Sequence, residues 1–145
     1  MYTTAASPFS PRAPQAFANA YRRVGLETGI ESASPHRLVA MLFDGVMESI
    51  AQARGAIQAG QIEQKGRAIG RAVRIVEEGL KGSLNTNGGG TLAADLGELY
   101  GYVTKRLTHA NLRNDVAALD ECQRLIEPLR EAWTSIAPQV AAAPR

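Results

Sequence analysis

The sequence predicts an all-α protein, an antiparallel up-down-up-down four-helix bundle with a short N-terminal capping helix. Three observations carry that expectation. Apolar residues recur at helical spacing through four segments of about 20 residues, the signature of one buried helix face. The breaks between the segments are short and carry Gly and Asn, which favours antiparallel neighbours. The period-2 alternation of half-buried strands is absent.

Residues 1–14, MYTTAASPFSPRAP, hold three prolines and no period, so a disordered tail is expected there. Phe17, Tyr21 and Val24 then lie on one helical face, and residues 15–26 read as a short helix. Ser34-Pro35 opens the first long helix, with Ser as N-cap and Pro at the first helical position. Its stripe is Leu38, Val39, Leu42, Val46, Ala53 and Ile57, with Ile50 at the edge, and Gly60 closes it. The second helix runs from about Ile62 to Leu84 on Ile62, Ile69, Val73, Val76, Leu80 and Leu84. Asn85 to Gly90 break the chain. Thr91 is the expected cap of the third helix, whose stripe is Leu92, Leu96, Leu99, Tyr100, Val103, Leu107 and Ala110. Asn114 or Asp115 caps the fourth, which carries Leu119, Cys122, Ile126, Leu129, Trp133 and Ile136. Pro128 should kink it or mark a local irregularity, because it removes one backbone bond. The expected organisation is one helical domain over 15–137 and a disordered tail over 138–145.

At 145 residues the chain can bury a sizeable core. No apolar run approaches the roughly 20 residues of a membrane span, and no secretory signal is expected at the start. One cysteine excludes an internal disulfide framework and suits a reducing compartment. Two histidines and one cysteine are too few for a His/Cys zinc site, so no metal is expected. The net charge of +2 is too mild for a nucleic-acid footprint.

Catalytic constellations are missing. Gly88-Gly89-Gly90 lacks the Lys and Ser or Thr of a P-loop and reads as a helix connector. His36 and His109 read as solvated surface residues. Cys122 lies on the apolar stripe and reads as a buried, inert thiol. Arg67, Arg71 and Arg74 share their helix with Glu63, Glu77 and Glu78, so they read as a solvated face. Neither an enzyme nor a cofactor is expected.

Apolar residues off the main stripes point instead to a partner. On the second helix Ile75 stands about 200° from Val73, so it is expected on the outer face, among Ala68, Gly79 and Gly82. A branched residue among small ones would make a shallow groove for a partner helix. Tyr102 to one side of the third stripe, Leu112 beyond it, and Met41 and Met47 beside the first complete the expected surface. The segment with Phe17, Tyr21 and Val24 is too short to be a stable helix alone and is expected to pack as a cap on that groove. A helical adaptor or regulatory domain docking some other partner is the alternative reading.

The run Ser34-Pro35-His36-Arg37-Leu38-Val39-Ala40-Met41-Leu42-Phe43-Asp44-Gly45 resembles the opening helix of the flagellar export chaperones, the FliS family. Leu96 to Val103, Arg106-Leu107, Ala110 to Asp115, Gly88-Gly89 and Glu131-Ala132-Trp133 are similar to the same family in order and spacing. The resemblance covers about residues 15–137. It implies a cytoplasmic chaperone that binds the disordered C-terminal segment of flagellin, prevents premature polymerisation and delivers it to the flagellar type III export gate. Implied partners are flagellin, an export gate component and a flagellar regulatory protein, without nucleic acid or membrane insertion. It also implies a four-helix bundle with an N-terminal cap. Gly101 stands where the family often has an acidic residue.

Overall fold

A computed structural model describes residues 34–84 and 88–136 of the chain. The expected capping segment with Phe17, Tyr21 and Val24 and the two expected tails lie outside the described residues. Among the described residues four α-helices make the bundle: α1 (Pro35–Gln58), α2 (Ile62–Arg74), α3 (Gly90–Arg113) and α4 (Val116–Ser135). Beyond Arg74 the second rod continues through a π turn, Ile75–Leu80, and a 3-10 turn, Lys81–Ser83.

The helix ends follow from their sequence. Ser34 Oγ accepts from Arg37 N at 3.1 Å, which satisfies one of the free N–H groups at the start of α1. At its other end Gly60 takes a φ of 71°, Gln61 N donates to Ala56 O at 2.8 Å, and Gly60 N donates to Ile57 O at 3.1 Å. That pair of bonds is the Schellman ending, which needs a left-handed residue at the position of Gly60. Asp115 Oδ1 accepts from Ala118 N at 3.2 Å and caps α4. The third helix departs from expectation: it begins at Gly90, and Thr91 sits inside its first turn rather than capping it. The fourth runs through Pro128 as one α-helix. Pro128 and Arg124 are both exposed, so the carbonyl that loses its partner to the proline can bind water.

Bonds between helices show the antiparallel order. Near the start of α1 and the end of α4, Trp133 Nε1 donates to His36 O at 3.0 Å and His36 Nε2 bonds Trp133 O at 2.9 Å, with the rings stacked 4.7 Å apart. At the opposite ends Arg54 Nε donates to Asp120 Oδ1 at 3.0 Å. The start of α2 meets the end of α3 through Lys65, and Cys122 of α4 lies against Val103 of α3. His36 is thus a half-buried clasp, not a solvated residue. His109 is also paired, with Asp115 Oδ2 at 3.2 Å.

The core is one cluster drawn from all four helices, with Leu42, Val46, Ile50, Ile69, Leu80, Val103, Leu107, Leu119 and Ile126 nearly inaccessible. Along α1 and α4 the expected stripes lie on the buried face, with Ile57, Leu129 and Trp133 half-buried. Two expected core residues at helix starts emerge into solvent: Ile62 is 73% exposed and Leu92 52%.

The second helix differs most. Its buried face is Ala68, Ile69, Ala72, Ile75, Val76, Gly79 and Leu80, and Val73 lies half-buried at its edge. The stripe is therefore centred on Ala72, and Ile75 falls about 60° from that centre at 100° per residue. Small residues mark this seam because α1 presses close. A Cβ added at Gly79 would stand 2.8 Å from Leu42 Cδ2. Apolar bulk alone points to Val73 as the centre, whereas the packing of small residues against α1 moves the centre to Ala72 and turns Ile75 inward.

Candidate functional site

Three of the residues expected to line the partner groove are part of the core. Ile75 is 0% and Ala68 6% exposed, and Gly79 is buried against Leu42. The outer face of the second helix instead carries Glu63, Arg67 and Arg74, with Gly82 exposed near its end. Arg67 Nη1 lies 3.8 Å from Glu63 Oε1, as expected of a solvated charged face. Met41 and Met47 are half-buried against the core. Tyr102, at 44%, and Leu112, at 75%, are on the surface as expected. The structure therefore separates the expected set: Ile75, Ala68 and Gly79 are buried, whereas Tyr102 and Leu112 are exposed on α3.

An open groove does exist, on α3. Ala94, Gly97 and Gly101 line it with side chains of at most a methyl group, alongside Glu98, Tyr102, Lys105 and Lys81. The spacing explains this lining, since residues 94, 97 and 101 share a face at steps of three and four. Side chains with at most a methyl group let a partner approach the α3 backbone. A Cβ at Gly97 would meet only Leu84 Cδ1 at 3.6 Å, and one at Gly101 only Lys81 Nζ at 3.7 Å. The Lys81 ammonium thus lies over the space that Gly101 leaves open. The small-residue spacing of α3, at residues 94, 97 and 101, is a local feature of the sequence.

Tyr102 and Arg106 are tied to α4 by side-chain hydrogen bonds. Tyr102 donates its hydroxyl to Glu121 Oε2, and Arg106 Nε donates to Glu121 Oε1 at 2.7 Å. These two bonds, the tyrosine's first, hold the Glu121 carboxyl below the usual carboxylate range. The same hydroxyl bond raises the Tyr102 phenol above its ordinary value. The ring of Tyr102 is thereby anchored at one end and free to contact a partner along its face.

Burial pushes the Cys122 thiol up to about 12, which leaves it a poor nucleophile. Among the described residues no group of three His, Cys, Asp or Glu is placed to hold a metal ion. No described helix is long and apolar enough to cross a membrane.

Comparisons with known proteins find one family over most of the chain. The family model described as Flagellar protein FliS matches residues 17–140. The chain is 42% identical over 122 residues to the flagellar secretion chaperone FliS of Salmonella typhimurium, covering 84% of this chain and 90% of the relative. It is 41% identical over 116 residues to the flagellar secretion chaperone FliSB of Pseudomonas aeruginosa, covering 80% and 91%. Against the flagellar secretion chaperone FliS of Bacillus subtilis it is 33% identical over 107 residues, covering 74% and 78%.

Proposed function

The chain belongs to the FliS family of flagellar secretion chaperones, and from that premise we propose that it binds the disordered C-terminal segment of flagellin. It holds that segment in the cytosol, prevents premature polymerisation and hands the complex to the flagellar export gate. The role is non-catalytic. The observation that carries the reading is the α3 groove, where Ala94, Gly97 and Gly101 admit a helix backbone beside the ring of Tyr102. An amphipathic client helix would seat its apolar face there through anchors at i, i+3, i+4 and i+7. Leu112, exposed further along α3, extends the apolar contact. Lys81 and Lys105 suit acidic residues on the client's flanks.

We propose further that residues 15–24, which lie outside the described residues, act as a cap that the client must displace, with Phe17, Tyr21 and Val24 as its apolar face. Chain geometry supports this. The chain enters α1 at Ser34, at the same end of the bundle as the Lys81–Ser83 turn and the start of α3. Ten extended residues reach about 33 Å, against roughly 8–10 Å between neighbouring helix axes. The need to displace the cap scales the apparent client affinity by the fraction of molecules left uncapped. Removal of residues 1–24 should therefore tighten client binding while the free protein self-associates more.

Isothermal titration with a synthetic flagellin C-terminal peptide tests the groove. Gly101→Leu should weaken binding by about tenfold or more, equal to about 1.4 kcal/mol, at an unchanged melting temperature. Equal affinity of the folded variant and the parent would place the client elsewhere, and an absence of binding by the parent would remove the proposal.

A further inference from the structure

We propose that the cleft at the α1–α2 turn binds a carboxylate carried on a compact apolar group. The cleft encloses about 120 Å³ between Ile57, Gly60 and Ile62 on one side and Lys65 and Asn114 on the other. It lies at the opposite end of the bundle from the Lys81–Ser83 turn, and the inference does not depend on the α3 groove.

Lys65 is the reason to expect an anion. It is only 8% exposed, and lysine is rarely buried without a charged partner. Its Nζ donates to Asn111 O at 2.8 Å and to Asn114 Oδ1 at 2.6 Å. Both acceptors are neutral, and no carboxylate among the described residues lies within ion-pair distance of it. An ammonium has three donors, so one N–H is uncommitted. The carbonyl end of α3 supplies a partial negative charge that offsets part of the burial cost but leaves net positive charge. Asp115, the acid adjoining Asn114, is engaged elsewhere: one oxygen caps α4 and the other pairs with His109.

The walls select the rest of the ligand. Ile57 is half-buried and Ile62 is 73% exposed, so an apolar surface runs from the cleft out to solvent. A cavity of about 150 Å³ holds benzene, so this cleft has room for about four or five carbons. A carboxylate on a branched aliphatic group would accept the free N–H, complete an ion pair with Lys65 and cover the two isoleucines. Inorganic phosphate would satisfy the charge and leave the apolar wall wet. Two sources offer this chemistry: the free C-terminus of a chain ending in an aliphatic residue, or a free branched acid.

The experiment is a titration of the ¹⁵N-labelled full-length protein, followed by amide shifts. The probes are 3-methylbutanoate, 3-methylbutanamide, and a tripeptide ending in leucine with its C-terminus free or amidated. Saturable shifts at Gly60, Ile62 and Asn114 are expected for the acids, with Kd of about 1–10 mM and amides weaker by about tenfold or more. Tighter binding of the free-acid tripeptide identifies a chain terminus as the source, and tighter binding of 3-methylbutanoate identifies a free acid. Lys65→Met should abolish the shifts. Ile62→Glu alters an exposed position, so it keeps the fold and should weaken the acids by about tenfold through like charge at the mouth. Equal binding of acid and amide, acid binding unaltered in folded Ile62→Glu, or no saturation by about 50 mM would overturn the proposal.

Discussion

Replacing Ile75 by alanine tests the phase of the second helix, on which both the core and the location of the groove depend. The side chain is 0% exposed and belongs to the cluster that contains Leu42, Ile69 and Leu80. Truncation removes three carbons, worth about 2.4 kcal/mol at about 0.8 kcal/mol per buried methylene. The void adds to that loss, because the surrounding helices relax only partly, so the expected cost is about 3–4 kcal/mol, inside the usual range for such changes. Neighbouring Val73 is half-buried, and Val73→Ala should cost about 1 kcal/mol or less, since its methyls are already part solvated. Urea unfolding read by the single tryptophan, Trp133, gives both values. The midpoint should fall sharply for Ile75→Ala and slightly for Val73→Ala, with unchanged m-values. A loss below about 1 kcal/mol at Ile75, or a larger loss at Val73, would show that the stripe is centred on Val73 after all.

Two glycines of the second rod should respond with opposite signs. A Cβ at Gly66 meets nothing within 4 Å, so Gly66→Ala should stabilise by about 0.5–1 kcal/mol, whereas Gly79→Ala forces Leu42 to move within a packed core and should destabilise by about 1–2 kcal/mol in thermal melts. Glu121 has a folded-state pKa below its unfolded value, so its contribution to stability is present above the unfolded pKa and is lost as pH falls through the folded one. In Glu121→Gln the acid-side fall of stability should be shallower across that window, as measured by urea midpoints at successive pH values. Cys122 should resist a thiol reagent in the native state and react at the unfolding rate, and rapid native labelling would contradict its burial.

Much of the architecture was legible before any coordinates. Ser34-Pro35, Gly60 and Asp115 mark helix ends because each performs a local chemical task that needs no tertiary partner. The stripes of α1 and α4 were legible because bulky residues dominate their buried faces. Other readings failed where a distant neighbour decides. His36 looked solvated because nothing nearby in sequence announces Trp133, 97 residues away. Ile62 and Leu92 looked buried because periodicity continues to the end of a helix, while the partner helices that would cover them do not.

The candidate site divides along the same line. Tyr102 and Leu112 could be picked out from their phase on α3, a local property. The placement of Ile75 could not, because Ala68, Ala72 and Gly79 carry too little apolar area to register as a stripe. They register only against Leu42, whose close approach makes smallness the requirement at that seam. The uncompensated charge of Lys65 is also a tertiary fact, since its acceptors lie 46 and 49 residues away. What the sequence by itself determined was the helical class, the helix ends at Ser34, Gly60 and Asp115 and the bulky stripes of α1 and α4, because capping and periodicity act within a few residues. Which face met which, and so which surface stayed open, was decided by the packing of four helices, because burial belongs to pairs of surfaces rather than to any one of them.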